Sequence, residues 1–186
     1  MLTGNVVFDA FVEQMSELIQ ASNGYEPDIL SKGQLLLGTL VATDTWLPSK
    51  FAESHPDQFR QYLLHRDRDK RFSIISVVFA PGQGATPHNH TVWGLIGQLR
   101  GAELTRHYED PKPGEALKLR SECVLKPGQT AAVSPTIGDI HDVSNVADGI
   151  SVSIHVYGAD LGSIARYRSR FDADSGAVTP FTSSYH

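Results

Sequence analysis

From about residue 58 onward, the chain is a succession of short segments with alternating apolar and polar side chains, separated by turns rich in glycine and proline. This alternation predicts β-strands, because successive side chains of a strand point to opposite faces. The turns recur roughly every 8–12 residues, which is typical of sandwiches and small barrels. Strands are predicted at residues 61–65, 72–80, 102–108, 117–125, 130–133 and 150–157, and between residues 84 and 101. We therefore expect a mainly β domain over residues 58–186.

The part of the chain before this domain has a helical period. Apolar residues in segment 6–21 recur at the i, i+3, i+4 spacing of an amphipathic helix, and Asn23 and Gly24 would cap its end. A second helix is predicted from Pro27, a residue suited to the first helical turn, to Val41. We expect residues 1–57 to pack as a helical segment on the outside of the β domain, with one structural domain overall.

Bulk properties exclude several classes of protein. The 186 residues carry a net charge of −5 with a pI of about 5.9, which argues against a nucleic-acid-binding surface. No apolar run approaches the roughly 20 residues that span a bilayer, and the N-terminus lacks the features of a signal peptide. Cys123 is the only cysteine, so no internal disulfide is expected, and we predict a cytoplasmic location. The oligomeric state is left open.

His88 and His90 lie two residues apart in one predicted strand, so their side chains should point the same way. At that spacing, two imidazoles can converge on one metal ion with bonds of about 2.1 Å. His141, in a turn-rich entry to a later strand, is the candidate third ligand. A histidine pair on a strand is more often a surface or core feature than a ligand pair, and that interpretation stands beside the metal site.

The glycines around these histidines strengthen the metal interpretation. Two segments resemble the two motifs of the cupin superfamily in the spacing of their residues. The first motif is matched by Gly82, His88, His90 and Gly101, and the second by Gly138, His141 and Asn145. The resemblance implies a cupin jelly-roll barrel that holds a metal at its mouth. The usual first motif also has a glutamate ligand where this chain has Gly94, so a three-histidine site is implied.

Segment 150–157 alternates strictly between two kinds of side chain. One face is aliphatic, and the other carries Ser151, Ser153, His155 and Tyr157. The polar face could line the interior as a hydrogen-bonded row, because small barrels fill their interior with side chains. It could equally lie on the outer surface, and the sequence alone does not decide between the two.

From about Trp46 to Tyr185, and most strongly in the middle, the chain resembles the bacterial thiol dioxygenases. It is close to the 3-mercaptopropionate dioxygenases and more distantly similar to cysteine dioxygenase. The similar segments are residues 88–90, 92–97, 99–103, 138–141, 143–145 and 153–158. The resemblance implies iron(II) bound by the three histidines and an outer-sphere relay formed by Ser153, His155 and Tyr157. It also implies that Arg166 faces a substrate carboxylate, and that Gln61 stands where cysteine dioxygenases have an arginine.

We therefore expect an iron(II)-dependent dioxygenase that converts a small thiol carboxylate to its sulfinate, with 3-mercaptopropionate the first candidate. Three neutral imidazoles do not select the metal, since they also suit zinc, copper and nickel. Arg166 suits a carboxylate because of its planar fork, but it also fits a solvated strand of alternating charges. The alternatives are a cysteine dioxygenase proper, another metal-dependent cupin enzyme such as a sugar isomerase, and a non-catalytic cupin that binds a metal or small molecule.

Overall fold

Two helices open the chain in the computed structural model, which describes residues 1–112, 114–182 and 185. Helix α1 spans Val6–Ala21, and the Asn5 side chain caps it by accepting a hydrogen bond from the Phe8 backbone N–H at 3.0 Å. Helix α2 spans Glu26–Val41. Both helices are confirmed close to their predicted limits. No helix of the described residues is long and apolar enough to cross a bilayer.

The rest of the described chain is mainly β, as predicted. The strands are β1 (Arg60–Arg66), β2 (Ser73–Phe79), β3 (Gly84–His88), β4 (Gly94–Arg100), β5 (Glu103–Tyr108), β6 (Leu119–Leu125), β7 (Thr130–Val133), β8 (His141–Asn145), β9 (Ser151–Tyr157), β10 (Ser169–Phe171) and β11 (Val178–Pro180). They form a five-stranded sheet in the order β1-β2-β9-β4-β7 and a six-stranded sheet in the order β11-β10-β3-β8-β5-β6. All of the pairs are antiparallel.

The central strands β2 to β9 wrap back and forth between the two sheets. The first sheet takes β2, β9, β4 and β7, and the second takes β3, β8, β5 and β6. This double-sheet arrangement is that of a jelly roll, the architecture that includes the cupins. Apolar side chains from β2 and β8 pack together between the sheets, among them Val77, Phe79 and Val143. The expected fold class is confirmed.

Helices α1 and α2 cover the outer face of the five-stranded sheet. The aliphatic residues Val152, Ile154 and Val156 of β9 belong to the same core as Phe11 and Met15 of α1. The polar face of β9 therefore points inward, toward the second sheet. Because the helices and this sheet share one core, the N-terminal helices pack directly on the five-stranded sheet.

Glycines allow α2 to approach β4 closely. A Cβ atom added at Gly97 would lie 2.8 Å from Leu37 Cγ, and one added at Gly33 would lie 2.6 Å from Leu95 Cδ1. Both distances are shorter than ordinary van der Waals contact.

A short irregular segment follows β9. Helix α3 (Leu161–Ile164) and a 3-10 turn (Ala165–Tyr167) lead into β10. The alternative of one solvated strand over residues 165–170 is therefore wrong, because a helical turn occupies its first half. This difference decides which arginine reaches the interior.

Candidate metal centre

The structure brings the three predicted ligands together between the sheets. His88 ends β3, His141 begins β8, and the two are directly paired in the sheet. The ring centroids of these two residues and His90 lie 4.8–4.9 Å from one another. One nitrogen from each ring lies within 4.8 Å of the other two, and all three side chains are buried. The three rings thus form a nearly equilateral triangle of donors.

The backbone at His90 differs from the predicted strand. Strand β3 stops at His88, and the N–H groups of His90 and Thr91 donate to the Asp139 carboxylate at 2.9 and 2.7 Å. Thr91 adopts the left-handed conformation, with φ of 64°. The expectation of one regular strand through both histidines is therefore wrong, because a side-chain carboxylate replaces the neighbouring strand as hydrogen-bond acceptor. His90 reaches the site through this turn.

Hydrogen bonds behind two of the rings determine which nitrogen faces the centre. His88 Nδ1 lies 2.8 Å from the Thr86 carbonyl oxygen, and His90 Nδ1 lies 3.0 Å from Asp139 Oδ1. Both partners accept, so each Nδ1 carries the proton and each Nε2 keeps a lone pair. Partners of this kind orient metal-binding histidines and fix their tautomer.

The donor set fits a metal ion. His90 Nε2 and His141 Nδ1 are buried and have no hydrogen-bond partner among the described residues. Two unpaired nitrogens within one cluster of three imidazoles suit the coordination of a cation, since buried polar atoms usually have partners. Burial also lowers the pKa of His88 and His141 well below the ordinary value, which keeps both rings neutral and able to bind a cation.

Gly94 does not offer a fourth ligand, and its surroundings leave little room for one. It is paired with Tyr157 across β4 and β9. A Cβ atom at this position would lie 3.0 Å from the Tyr157 ring and from Val133 Cγ2. The tyrosine ring packs beside the backbone where the usual cupin motif has a glutamate.

The polar face of β9 forms a hydrogen-bonded row beside the three histidines. Ser153 Oγ lies 2.8 Å from His155 Nε2, and His155 Nδ1 lies 2.8 Å from the Tyr157 hydroxyl oxygen. The Tyr157 ring stacks on His90 with centroids 5.0 Å apart. Burial lowers the pKa of His155 to about 3 and raises that of Tyr157, so the whole row is neutral near pH 7.

A small cavity opens onto these groups. Its volume, about 20 Å³, has room for little more than one water molecule, so a larger ligand would enter only if side chains of the wall move aside. The polar lining consists of Gln61, His88, His141, His155, Tyr157 and Arg168. The apolar lining consists of Phe59, Val77, Phe79, Ala85, Val143 and Phe181. None of the described lining residues is a carboxylate.

The two candidate substrate residues lie in different places. Gln61, on β1, lines the cavity, and its Oε1 atom is buried without a partner in the described chain. Arg166 is exposed, stacks on Tyr167 and donates a hydrogen bond to its hydroxyl. The structure therefore brings Gln61 to the histidines but leaves Arg166 outside the lining.

Arg168 is the arginine that lines the cavity, although the sequence interpretation missed it. Its side chain is 2% exposed, its Nε donates to the Asn89 carbonyl at 3.1 Å, and its guanidinium lies 4.6 Å from the Phe181 ring centroid. On a strand, Arg166 and Arg168 would share one face. The 3-10 turn instead rotates successive residues by about 120°, so the two side chains diverge.

Asp139 was also missed as a functional candidate. The sequence does show a carboxylate two residues before His141, a predicted ligand, and this could have marked Asp139 as a candidate. Metal-binding histidines commonly donate to such groups, but the sequence does not say which of the histidines would be its partner.

The likeness to known proteins is one of fold. No family model matches the chain. An uncharacterised protein with a double-stranded β-helix domain from Klebsiella pneumoniae is 11% identical, with a TM-score of 0.49 over 73% of this chain and 88% of that chain. A cupin superfamily protein from Desulfitobacterium hafniense is 16% identical, with a TM-score of 0.45 over 64% and 96% of the two chains. An oxalate oxidase in complex with glycolate is 18% identical, with a TM-score of 0.47 over 62% of each chain, less than two thirds of that protein.

Proposed function

We infer that this chain is an iron(II)-dependent thiol dioxygenase that acts on a small thiol carboxylate. The observation that carries the proposal is the neutral row of Ser153, His155 and Tyr157 in contact with a three-histidine cluster at one cavity. The net reaction joins a thiol and dioxygen into a sulfinate and releases one proton. When bound by the three histidines, iron(II) supplies the redox chemistry for this oxidation.

The electrostatics of the cavity favour an anionic substrate. The three histidines are neutral and the described lining contains no carboxylate, so a divalent ion and the guanidinium of Arg168 would leave a surplus of positive charge even against the nearby Asp139 carboxylate. A thiolate offsets part of the metal's charge, and metal coordination favours the deprotonated thiol. The substrate's carboxylate would balance the guanidinium.

Arg168 is better suited than Arg166 to bind that carboxylate. Its planar fork can donate to both oxygens, and its position beside Phe181 and the Asn89 carbonyl holds the side chain at the cavity. Gln61 adds a neutral amide whose buried Oε1 has no partner in the described residues. The NH2 group of the same amide can donate a hydrogen bond to a substrate carboxylate.

These residues favour 3-mercaptopropionate over cysteine. The ammonium group of cysteine would bring a further positive charge into a cavity that already holds the metal and Arg168. With Gln61 in the wall, the described lining offers no anion to balance that charge. A thiol carboxylate without an amine avoids the cost of burying it.

Tyr157 is suited to donate a hydrogen bond into the cavity. Burial raises its pKa, so the hydroxyl keeps its proton near pH 7, and His155 holds it from behind. The hydroxyl can then stabilise negative charge that develops on the reacting oxygen atoms.

Metal analysis combined with dioxygen uptake tests the proposal. Iron(II)-loaded protein is assayed with 3-mercaptopropionate, cysteine, cysteamine and mercaptosuccinate. We expect uptake with sulfinate formation, and the highest kcat/KM for 3-mercaptopropionate. Tyr157→Phe should keep its iron but turn over more slowly, whereas His141→Ala should lose both iron and activity. Iron-loaded protein that oxidises none of the thiols would contradict the proposed function, and a preference for cysteine would contradict the substrate assignment.

A further inference from the structure

Phe181 contacts both a candidate metal ligand and the arginine proposed to bind the substrate's carboxylate. Its ring centroid lies 4.9 Å from the His88 ring centroid and 4.6 Å from the guanidinium carbon of Arg168. The guanidinium carbon of Arg170 lies 5.1 Å from the same ring, and Phe181 is only 4% exposed. A thiol carboxylate that reaches from a metal at His88 to Arg168 would therefore lie against this ring or take its place.

The cavity is closed to such a molecule unless part of its wall moves. Its volume of about 20 Å³ holds little more than one water molecule. A thiol carboxylate is several times larger than water, so its binding needs more space beside the histidines. Because protein interiors are close-packed, such space opens where a large side chain can leave its position.

Phe181 lies in a part of the wall that has few backbone connections. It directly follows β11, an edge strand whose three residues are all exposed and which pairs with β10 at three positions. The lining residues on β2, β3, β8 and β9 belong instead to strands with a hydrogen-bonded neighbour on each side. Segments with few buried contacts open at the lowest free-energy cost, so Phe181 is well placed to move.

Arg168 has an anchor that does not involve the Phe181 ring. The Asn89 carbonyl accepts from Arg168 Nε at 3.1 Å, and the Asn89 side-chain oxygen accepts from the Ser169 N–H at 2.7 Å. The Asn89 N–H donates to the Ser169 carbonyl at 3.1 Å. These three hydrogen bonds hold the start of β10 beside the metal centre. The guanidinium can therefore stay at the cavity while the ring moves away.

Phe59 is the other phenylalanine of the wall that lies outside a strand. Its ring packs on that of Phe79, with centroids 5.2 Å apart. The strand that follows it, β1, is paired with β2 along almost its whole length. Phe59 is therefore held more firmly than Phe181, and it provides the competing assignment for the test below.

We propose that Phe181 is the movable wall of this cavity and limits the size of the side group that a substrate can carry. The inference rests on the proposed function for the thiol and the carboxylate of the substrate. A compact substrate lets the ring return close to the two guanidinium groups. A bulky side group on the carbon chain holds the ring away, and the loss of ring burial and of these cation–π contacts weakens binding.

Two acids with the same spacing between thiol and carboxylate test the assignment without turnover. Cobalt(II)-loaded full-length protein is titrated in the absence of dioxygen with 3-mercaptopropionate and with 2-benzyl-3-mercaptopropionate, and thiolate binding is followed by the visible absorption of the cobalt. We expect wild type to bind the benzyl acid much more weakly. Phe181→Ala removes a ring of the same size as the benzyl group, so the ratio of the two Kd values should fall roughly 10- to 200-fold.

Phe171→Ala is the matched control, because Phe171 is also buried in the C-terminal hairpin but lies outside the described lining of the cavity. It should leave the Kd ratio unchanged, and Phe59→Ala should change it less than Phe181→Ala does. If Phe181→Ala does not fold, Phe181→Leu is tested with 3-mercapto-2-methylpropionate as the bulkier acid, and the ratio should fall in the same direction.

An unchanged ratio in a folded Phe181 variant would overturn the inference. The same holds for an equal fall in Phe171→Ala, a larger fall in Phe59→Ala, or a cobalt protein that binds neither acid. A size limit that depends on Phe181, in a protein whose iron-loaded form oxidises no thiol, would support the inference and contradict only the proposed function.

Discussion

Asp139 supports the metal centre from behind rather than by touching the cavity. One carboxylate accepts from the backbone N–H groups of His90 and Thr91 and from His90 Nδ1. It therefore stabilises a turn in which the Thr91 backbone adopts the left-handed conformation. The same carboxylate fixes the tautomer of His90, one of the three candidate ligands. Its interactions with His90 and these N–H groups lower its pKa despite burial, so the group is ionised near pH 7.

Removal of this charge should weaken metal binding. We expect Asp139→Asn to lower metal affinity roughly 10- to 100-fold, because the amide no longer fixes the His90 tautomer. Competition with a chelator of known affinity measures the effect. Asp142→Asn is the control, since that carboxylate binds Tyr108 instead and should leave the affinity unchanged. Equal affinities for wild type and Asp139→Asn would show that the carboxylate does not support the site.

Two arginines two residues apart provide a matched test of substrate binding. Arg168→Gln should raise the KM for 3-mercaptopropionate about 10- to 100-fold, because a charge-assisted hydrogen bond contributes roughly 1.5–3 kcal/mol. Arg166→Gln removes the same charge at the surface and should change KM little. Cysteamine, which has no carboxylate, should be insensitive to both changes. A larger effect at position 166 than at position 168 would favour the arginine that was predicted from the sequence.

Residues were predictable where a short periodic pattern determines their position. Side chains alternate along β9, so the residues that point inward are known once the helices are known to cover the aliphatic face. The motif glycines indicated that His88 and His141 belong to one site, and the two residues are paired in the sheet. Arg168 was not predictable, because its orientation depends on a 3-10 turn that the alternating arginines do not reveal. The hydrogen bond that His90 donates to Asp139 was not predictable either, since it joins segments far apart in the chain.

At the scale of elements, the contact between α2 and β4 determines which face of the first sheet is covered. The helix lies close enough that residue 97 has no room for a side chain: an added Cβ would lie 2.8 Å from Leu37 Cγ and 3.0 Å from Val41 Cγ1. With the helices on this side, the aliphatic face of β9 is buried and the polar face turns to the cavity. The sequence left the two faces of β9 undecided because this depends on tertiary packing.

A pair of glycine substitutions tests the contact. Gly97→Ala should lower the free energy of unfolding by about 1–3 kcal/mol, the usual cost of overpacking a core. Gly38→Ala, on α2, meets only ordinary contacts, the shortest being 3.7 Å, and should be stabilising by up to about 1 kcal/mol through helix propensity. Urea denaturation of both variants measures the difference. A neutral Gly97→Ala would show that the helix and the sheet are less closely packed.

At the scale of the whole molecule, Glu103 makes the stability depend on pH. Burial raises its pKa from the ordinary 4.5 to about 7, so the folded state favours the neutral form. A raised pKa gives stability that is fully present below pH 4.5 and is lost as the pH rises through about 7. The buried histidines have lowered pKa values and act in the opposite sense, so their contribution must be subtracted.

Comparison with Glu103→Gln makes that subtraction, because the variant keeps the histidines. The free energy of unfolding of wild type relative to the variant should fall by about 2–3 kcal/mol between about pH 5 and about pH 8, since each pKa unit corresponds to about 1.4 kcal/mol. Urea denaturation of both proteins across this range gives the difference. A difference that does not change with pH would mean that Glu103 is not held in its neutral form.

Labelled dioxygen tests the proposed reaction most directly. Iron(II)-loaded protein is supplied with 3-mercaptopropionate under 18O₂, and the product is analysed by mass spectrometry beside a His141→Ala control. We expect a sulfinate that carries two labelled oxygen atoms, one dioxygen consumed for each sulfinate formed, and no product from the control. A product that takes oxygen from water, a disulfide as the sole product, or iron-loaded protein that consumes no dioxygen would contradict the proposed function.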